Sequence, residues 1–87
     1  MEDKAIMLVL LTNNSYLVSE VSEVGAAVPG EPDCKFDNPF LVAEDGTLSR
    51  WMEGYSDETT FMISSDKILT LTEPTSGLLE KYKSALQ

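Results

Sequence analysis

Short apolar and alternating stretches, separated by polar or turn-forming residues, run through most of this chain and predict β-strands. Residues 5–11 are apolar at every position, a pattern typical of a strand that is buried on both faces. Residues 16–24 and 34–43 predict two further strands, and the apolar runs at 61–63 and 68–72 predict two more. Because residues 16–24 place polar side chains on both faces, we expect a bend or bulge within that strand.

Turn-forming residues set the limits of these strands. The asparagine pair at 13–14 predicts a tight turn between the first two strands, and the glycines and prolines of residues 25–33 predict a loop after the second. Pro39 has no amide hydrogen to donate, so it is expected at a sheet edge or a bulge. Residues 44–58 are interpreted as a loop, and residues 64–67 as the turn of a hairpin that joins the last two strands.

The end of the chain has helical periodicity. Thr75 or Ser76 can cap a helix that is predicted over about residues 76–86. The apolar side chains that share one face of this helix are Leu78, Leu79, Tyr82 and Leu86. A helix this short does not persist alone, so we expect that face to dock either over an open end of the β-domain or against another subunit.

The number of elements restricts the fold class. Five strands and one helix in a chain of 87 residues are too few for a two-sheet sandwich. We therefore predict one mainly β domain over residues 1–87, with a small, strongly bent antiparallel barrel at about 5–73 and the helix after it. A domain of this size buries a limited share of its surface, which favours oligomerisation.

Composition limits the possible functions. Fifteen acidic residues against six basic ones give a net charge of −9, which repels phosphates, so any RNA contact must be local. The absence of histidine removes Ser-His and Cys-His catalytic pairs and the commonest metal ligand. We predict no enzymatic activity, cofactor or metal, because the spacing of the aspartates matches no calcium loop or catalytic motif. These aspartates are Asp33, Asp37, Asp45, Asp57 and Asp66.

Two features bear on the cellular compartment. Cys34 is the single cysteine, so no internal disulfide can form, which fits a reducing environment. The residues before the first apolar run are net negative, and that run is too short to span a bilayer, so we interpret it as a strand and not as a signal peptide. We therefore predict a cytoplasmic protein without a membrane partner.

Three segments resemble motifs of the Sm-like family. Residues 7–16 resemble the opening of its first motif, and residues 36–42 (Phe-Asp-Asn-Pro-Phe-Leu-Val) resemble the close of that motif. Residues 63–71 (Ile-Ser-Ser-Asp-Lys-Ile-Leu-Thr-Leu) resemble the second motif. Residues 30–34 and 66–86 are also similar to small Sm-like proteins that marine bacteriophages encode, which would place the protein in the cytoplasm of a bacterial host.

The resemblance implies a bent five-stranded antiparallel barrel whose fourth and fifth strands pair with those of neighbouring copies and close a homo-oligomeric ring. The two corresponding runs are apolar and contain no proline, so unpaired edges here would invite aggregation, and a closed ring removes such edges. The expected subunit interface consists of Phe61, Met62, Ile63, Ile68, Leu69 and Leu71.

The resemblance also implies an RNA site that a ring would repeat. We expect Asn38 to meet a uridine-like or adenine-like base edge and Phe36 or Phe40 to stack on a base. Lys67 would contact phosphate. The remaining members of this candidate site are Asp37, Ser64 and Ser65, of which the two serines replace the arginine-glycine pair that usually grips RNA in the family. Alternatively, these residues are structural, with the asparagine in a turn, the phenylalanines in the core and the lysine in a hairpin bend.

A ring that binds proteins and not RNA is the alternative function. Its acidic surface and the C-terminal helix would then present a docking face to other proteins. Trp51, Met52 and Tyr55 are open to two interpretations, because such side chains either pack beneath a long loop or form a surface for base stacking or partner binding.

Overall fold

A computed structural model describes residues 5–24 and 31–86 of the chain as a mainly β protein with one α-helix. The strands are β1 (Ala5–Leu11), β2 (Tyr16–Glu23), β3 (Cys34–Val42), β4 (Leu48–Arg50), β5 (Thr60–Ile63) and β6 (Ile68–Thr72). A 3₁₀ turn (Ser65–Lys67) joins β5 to β6, and helix α1 (Ser76–Ala85) follows the last strand. The predicted β class and the C-terminal helix are confirmed, whereas most of the loop predicted after Gly25 lies outside the described residues.

The strands form one open antiparallel sheet with the order β4-β3-β2-β1-β6, and β5 pairs with the same edge of β3 as β4 does. Two predictions were wrong. β4 lies in the stretch interpreted as a loop, where it pairs with the end of β3. β5 and β6 do not form a hairpin, because β5 pairs with β3 while β6 pairs with β1. The 3₁₀ turn thus carries the chain from one edge of the sheet to the other.

A β-bulge in β3 explains the mixed polarity of β2. The pairs Val18–Phe40 and Glu20–Asp37 leave Ser19 alone opposite two residues, Asn38 and Pro39. Asn38 has a φ of 54°, in the left-handed region that asparagine tolerates better than most residues. The extra residue reverses the alternation of β3 beyond this point, because each step along a strand changes the face. The irregularity expected within β2 thus lies in β3, opposite Ser19, and Pro39 stands at a bulge, which is one of its two expected positions.

This reversal divides the core into two clusters on the two faces of the sheet. The strand cluster consists of Val9, Leu11, Leu17, Val21, Cys34 and Phe36. The helix cluster consists of Val18, Phe40 and Tyr82. Without the bulge, Phe36 and Phe40 would share a face, since they are four residues apart. β1 packs on both faces as predicted, because Val9 belongs to the strand cluster and Ile6 packs against the helix cluster.

Helix α1 docks on its own sheet, against the helix cluster. It begins at Ser76, and the N-cap is Thr75, one of the two predicted caps, whose Oγ1 accepts a hydrogen bond from the Leu78 amide at 3.2 Å. Of the expected docking face, Tyr82 is fully buried, Leu78 packs against the helix cluster, Leu79 is half-buried and Leu86 is exposed. Across the described ranges, no helix is long and apolar enough to cross a membrane.

Candidate functional site

The residues of the expected subunit interface lie on β5 and β6, where some side chains point inward and others are exposed. Ile63 and Ile68 pack against the strand cluster, and the Phe61 ring lies 5.4 Å from that of Trp51 in an edge-to-face arrangement. The other members are exposed: Met62 at 49%, Leu69 at 58% and Leu71 at 45%. Within the described part of the chain, β5 pairs only with β3 and β6 only with β1. Each edge therefore combines unused backbone hydrogen-bonding groups with exposed apolar side chains.

The two phenylalanines expected to stack on bases are buried. Phe36 is 0% exposed, within the strand cluster. Phe40 is 6% exposed, because the Tyr82 ring packs edge-on against it at 5.7 Å and the Arg50 guanidinium lies 5.8 Å from its centroid. Stacking needs an open ring face, so neither side chain offers one in this structure. The structural interpretation of both residues fits their positions.

The Asp37-Asn38 pair lies at the bulge, where the backbone of both residues and the side chain of Asp37 are hydrogen-bonded to neighbouring elements. Asp37 Oδ1 accepts a hydrogen bond from Thr60 Oγ1 at 2.7 Å, and the backbone N–H of Asn38 donates to the Thr59 carbonyl at 2.6 Å. The Tyr82 hydroxyl lies 2.9 Å from the Asn38 carbonyl oxygen and 3.1 Å from that of Asp37, and it accepts from the Glu20 amide at 3.2 Å. These contacts fix the shape of the bulge.

The two serines that replace the family's arginine-glycine pair stand at the other end of β5. The Ser65 amide and hydroxyl both donate to the Asp33 carboxylate, at 2.7 and 2.8 Å. These hydrogen bonds from Ser65 hold the pKa of Asp33 below its ordinary value, because they stabilise the ionised form. Lys67 is exposed in the same turn, and its carbonyl accepts from the Thr12 amide at 2.9 Å.

The candidate RNA residues therefore do not form one cluster within a subunit. Asp37 and Asn38 lie beside the start of β5, whereas Ser64 and Ser65 follow its end. Asp37 lies opposite Thr60, four residues before Ser64, so at about 3.3 Å per residue the two groups are roughly 13 Å apart along β5. Asp33, an aspartate whose spacing matches no calcium loop or catalytic motif, is the residue that contacts Ser65. The two residues are 32 positions apart, and no local sequence pattern indicates their contact.

The single cysteine lies in the core. Cys34 is buried in the strand cluster, and burial, followed by the nearby charge of Asp33, raises the pKa of its thiol. A thiol that is harder to ionise is a poorer nucleophile, so Cys34 acts as a core residue. Among the residues that the structure describes, no three histidine, cysteine or acidic side chains come together in a group that could hold a metal ion.

Comparison with known families gives one assignment that covers nearly the whole chain. A family of unknown function, DUF6561, matches residues 4–87. The chain belongs to the DUF6561 family. A comparison with curated proteins gives no match.

Proposed function

We propose that this DUF6561 protein is a self-assembling module in which β5 of one copy pairs with β6 of the next to close a ring, and that the ring serves as a protein-interaction scaffold. The observation that carries the proposal is the exposure of apolar side chains on two strands at opposite edges of one sheet, each of which pairs on one side only among the described residues. Edges of this kind are aggregation sites unless they are covered, and a closed ring covers all of them. Because the two edges differ, the contact is head-to-tail, which is the geometry that generates rings.

The facing of the side chains favours one register for this contact. Residues opposite each other on neighbouring strands project to the same face of a sheet. Phe61 lies opposite Phe36, and Leu71 lies opposite Val9. Phe61 and Leu71 therefore project to the strand-cluster face of the sheet. An antiparallel register with Phe61 opposite Leu71 of the next copy continues that face across the interface. Leu71, now 45% exposed, would then pack beside the Phe61–Trp51 pair of its neighbour.

The strand arrangement also supports the Sm-like barrel that the sequence resembles. When the three-residue strand β4 is set apart, the sequence-predicted strands are β1, β2, β3, β5 and β6. The fourth and fifth of these lie at opposite edges of the sheet, as a ring of Sm-like subunits requires. The bulge between β2 and β3 and the irregular register between β1 and β6 are features that bend a sheet. We therefore propose that the sheet curves into such a barrel.

RNA binding is the second candidate function, and one observation favours it. Lys67 is exposed in the turn that connects the two edges, so a ring would repeat this cation at each subunit. Two observations favour the protein-interaction function instead. The net charge of −9 per subunit is multiplied around a ring and repels phosphates, and neither Phe36 nor Phe40 has a ring face open to a base.

Native mass spectrometry of protein purified without nuclease tests the ring. We expect one discrete oligomer, and Leu71→Lys should convert it to monomer because the new charge would be buried at the contact. Tyr55→Lys is the matched control, since Tyr55 is 90% exposed in a loop outside β5 and β6 and the same charge is added. A strictly monomeric wild-type protein, or a Leu71→Lys variant that still assembles, would refute the proposal.

The same preparation separates the two functions. Protein interaction without RNA predicts rings free of nucleic acid. Retained RNA that is lost in high salt and in Lys67→Ala, but kept in the exposed control Lys83→Ala, would instead establish the RNA function.

A further inference from the structure

An apolar groove lies on the outer surface between the β1–β2 turn, the end of β3 and the start of α1. Its apolar lining consists of Leu8, Tyr16, Leu41, Val42, Ala43 and Leu78. Helix α1 covers Val18 and Phe40 but does not cover the groove. Two of its lining side chains remain exposed, Tyr16 at 48% and Leu41 at 36%. Two of the large exposed hydrophobic side chains of the chain thus line one groove, whereas Tyr55 stands in a separate loop.

The negative charge around this groove favours a cationic ligand. Glu44 is the one charged residue among the described residues that line it, and Asp45 follows in the same exposed turn. The hydrogen bonds from Thr47, and to a smaller extent the charge of Lys81, hold the pKa of Asp45 below its ordinary value. Lys81 donates to the Gly46 carbonyl at 3.3 Å and partly offsets Asp45, so the charge that lines the groove is that of Glu44. The whole chain adds a net charge of −9. An apolar groove with an acidic rim in a negative field attracts a ligand that is both apolar and cationic.

We propose that this groove binds a short cationic segment of another protein, which inserts one or two apolar side chains beside Tyr16 and Leu41 and places lysine or arginine next to Glu44. Half-exposed tyrosine suits such a contact, because it offers a large, rigid apolar surface together with a polar tip. The groove deepens the proposed scaffold function by naming its partner class. It does not depend on ring closure, because none of its lining residues belongs to β5 or β6.

Two synthetic peptides of equal length and identical leucine positions, one with lysine and the other with glutamate at the remaining positions, test this proposal by fluorescence anisotropy. We expect the lysine peptide to bind and the glutamate peptide not to bind. Tyr16→Ser should weaken binding by about tenfold, which is the size of a hot-spot loss. Tyr55→Ser is the matched control and should leave the affinity unchanged, since Tyr55 is 90% exposed and lies outside the groove.

Further variants separate the groove from general charge attraction and from ring formation. Glu44→Lys should weaken the lysine peptide more than Glu53→Lys, which makes the same charge change in the 51–55 turn. The Leu71→Lys variant should still bind the peptide, so a failed ring and a failed groove give different results. If Tyr16→Ser does not fold, as judged by circular dichroism, Leu41→Ser replaces it. Equal binding of both peptides, or binding of the lysine peptide that ignores the groove variants, would overturn the proposal.

Discussion

β2 and β6 show opposite relations between composition and burial. β2 contains two serines and two glutamates among its eight residues, yet five of the eight are buried. β6 contains isoleucine and two leucines among its five residues, yet none of the five is buried. The difference lies in position, because β2 is between β1 and β3 whereas β6 is at an edge. Composition alone therefore indicates neither which strand is central nor which is exposed.

The way each strand is stabilised explains this difference. Polar groups of β2 beside the bulge are hydrogen-bonded: Ser19 Oγ donates to the Asp37 carbonyl at 3.0 Å, and the Glu20 backbone amide donates to the Tyr82 hydroxyl. A buried polar strand is tolerable when such bonds are made. The leucines of β6 have no comparable cover in a single copy. An apolar strand that is left exposed indicates a missing neighbour, which is the reasoning behind the proposed ring.

Removal of the Tyr82 side chain, which packs against β2, should give the largest loss of stability. Tyr82→Ala deletes a fully buried ring and should lower the free energy of unfolding by about 3–5 kcal/mol. Tyr82→Phe keeps the ring but leaves the Glu20 amide without its acceptor, which should cost about 1–3 kcal/mol. Urea unfolding of both variants measures the two losses. Equal stability of Tyr82→Phe and the wild-type protein would show that the hydroxyl does not hold the bulge.

Alkaline pH gives an independent measure of the same hydroxyl. Burial raises the pKa of Tyr82 to about 12, whereas an unfolded tyrosine titrates near about 10. The folded state therefore holds this proton more tightly. The stabilisation that the protonated Tyr82 hydroxyl gives to the folded state is fully present below about pH 10 and is lost as the pH rises toward about 12. Tyr82→Phe should lack this part of the alkaline loss of stability. The other ionisable groups are common to both proteins and act as the internal control.

Local signals in the sequence were sufficient for the elements whose causes are local. The Asn13-Asn14 turn and the Thr75 cap each depend on residues within four positions, and both are present. The bulge shows the limit of such signals. Pro39 and the mixed polarity of β2 indicated an irregularity, but they did not reveal that it reverses the facing of β3 and buries Phe36 and Phe40 on opposite faces.

Features that depend on distant contacts could not be predicted. β4 has three residues and exists because β3 continues past the bulge and offers it a partner. The path of the chain from β5 to β6 likewise follows from the pairing of each strand with a different neighbour. The candidate RNA site was inferred from the order of motifs along the chain, and order gives no information on which end of a strand each motif reaches. The contact between Asp33 and Ser65 could not be predicted either, because it depends on how distant strands pair.

Threonine placed at two facing positions compares the centre of the sheet with its edge directly. Val9 is 0% exposed and lies opposite Leu71 on the same face. Val9→Thr buries a hydroxyl in the strand cluster and should cost about 1–3 kcal/mol. Leu71→Thr should change the stability of the dissociated protein by no more than about 0.5 kcal/mol, because the site is exposed there. Urea unfolding at low protein concentration measures both, and equal losses would mean that β6 is already covered within one copy.

The two serines of β2 give the smallest and most selective test. Ser19 and Ser22 are both buried, but Ser22 Oγ has no hydrogen-bond partner among the residues from 5–24 and 31–86. Ser19→Ala removes a donor while the Asp37 carbonyl keeps the Tyr82 hydroxyl nearby, so the loss should be about 0.5–1.5 kcal/mol. Ser22→Ala removes a buried hydroxyl that lacks a partner and should be neutral or stabilising by up to about 1 kcal/mol. Because the substitution and the strand are the same, a difference in unfolding free energy between the variants reports hydrogen bonding and not burial. Similar losses would show that β2 tolerates its polar residues for a reason other than the bonds at the bulge.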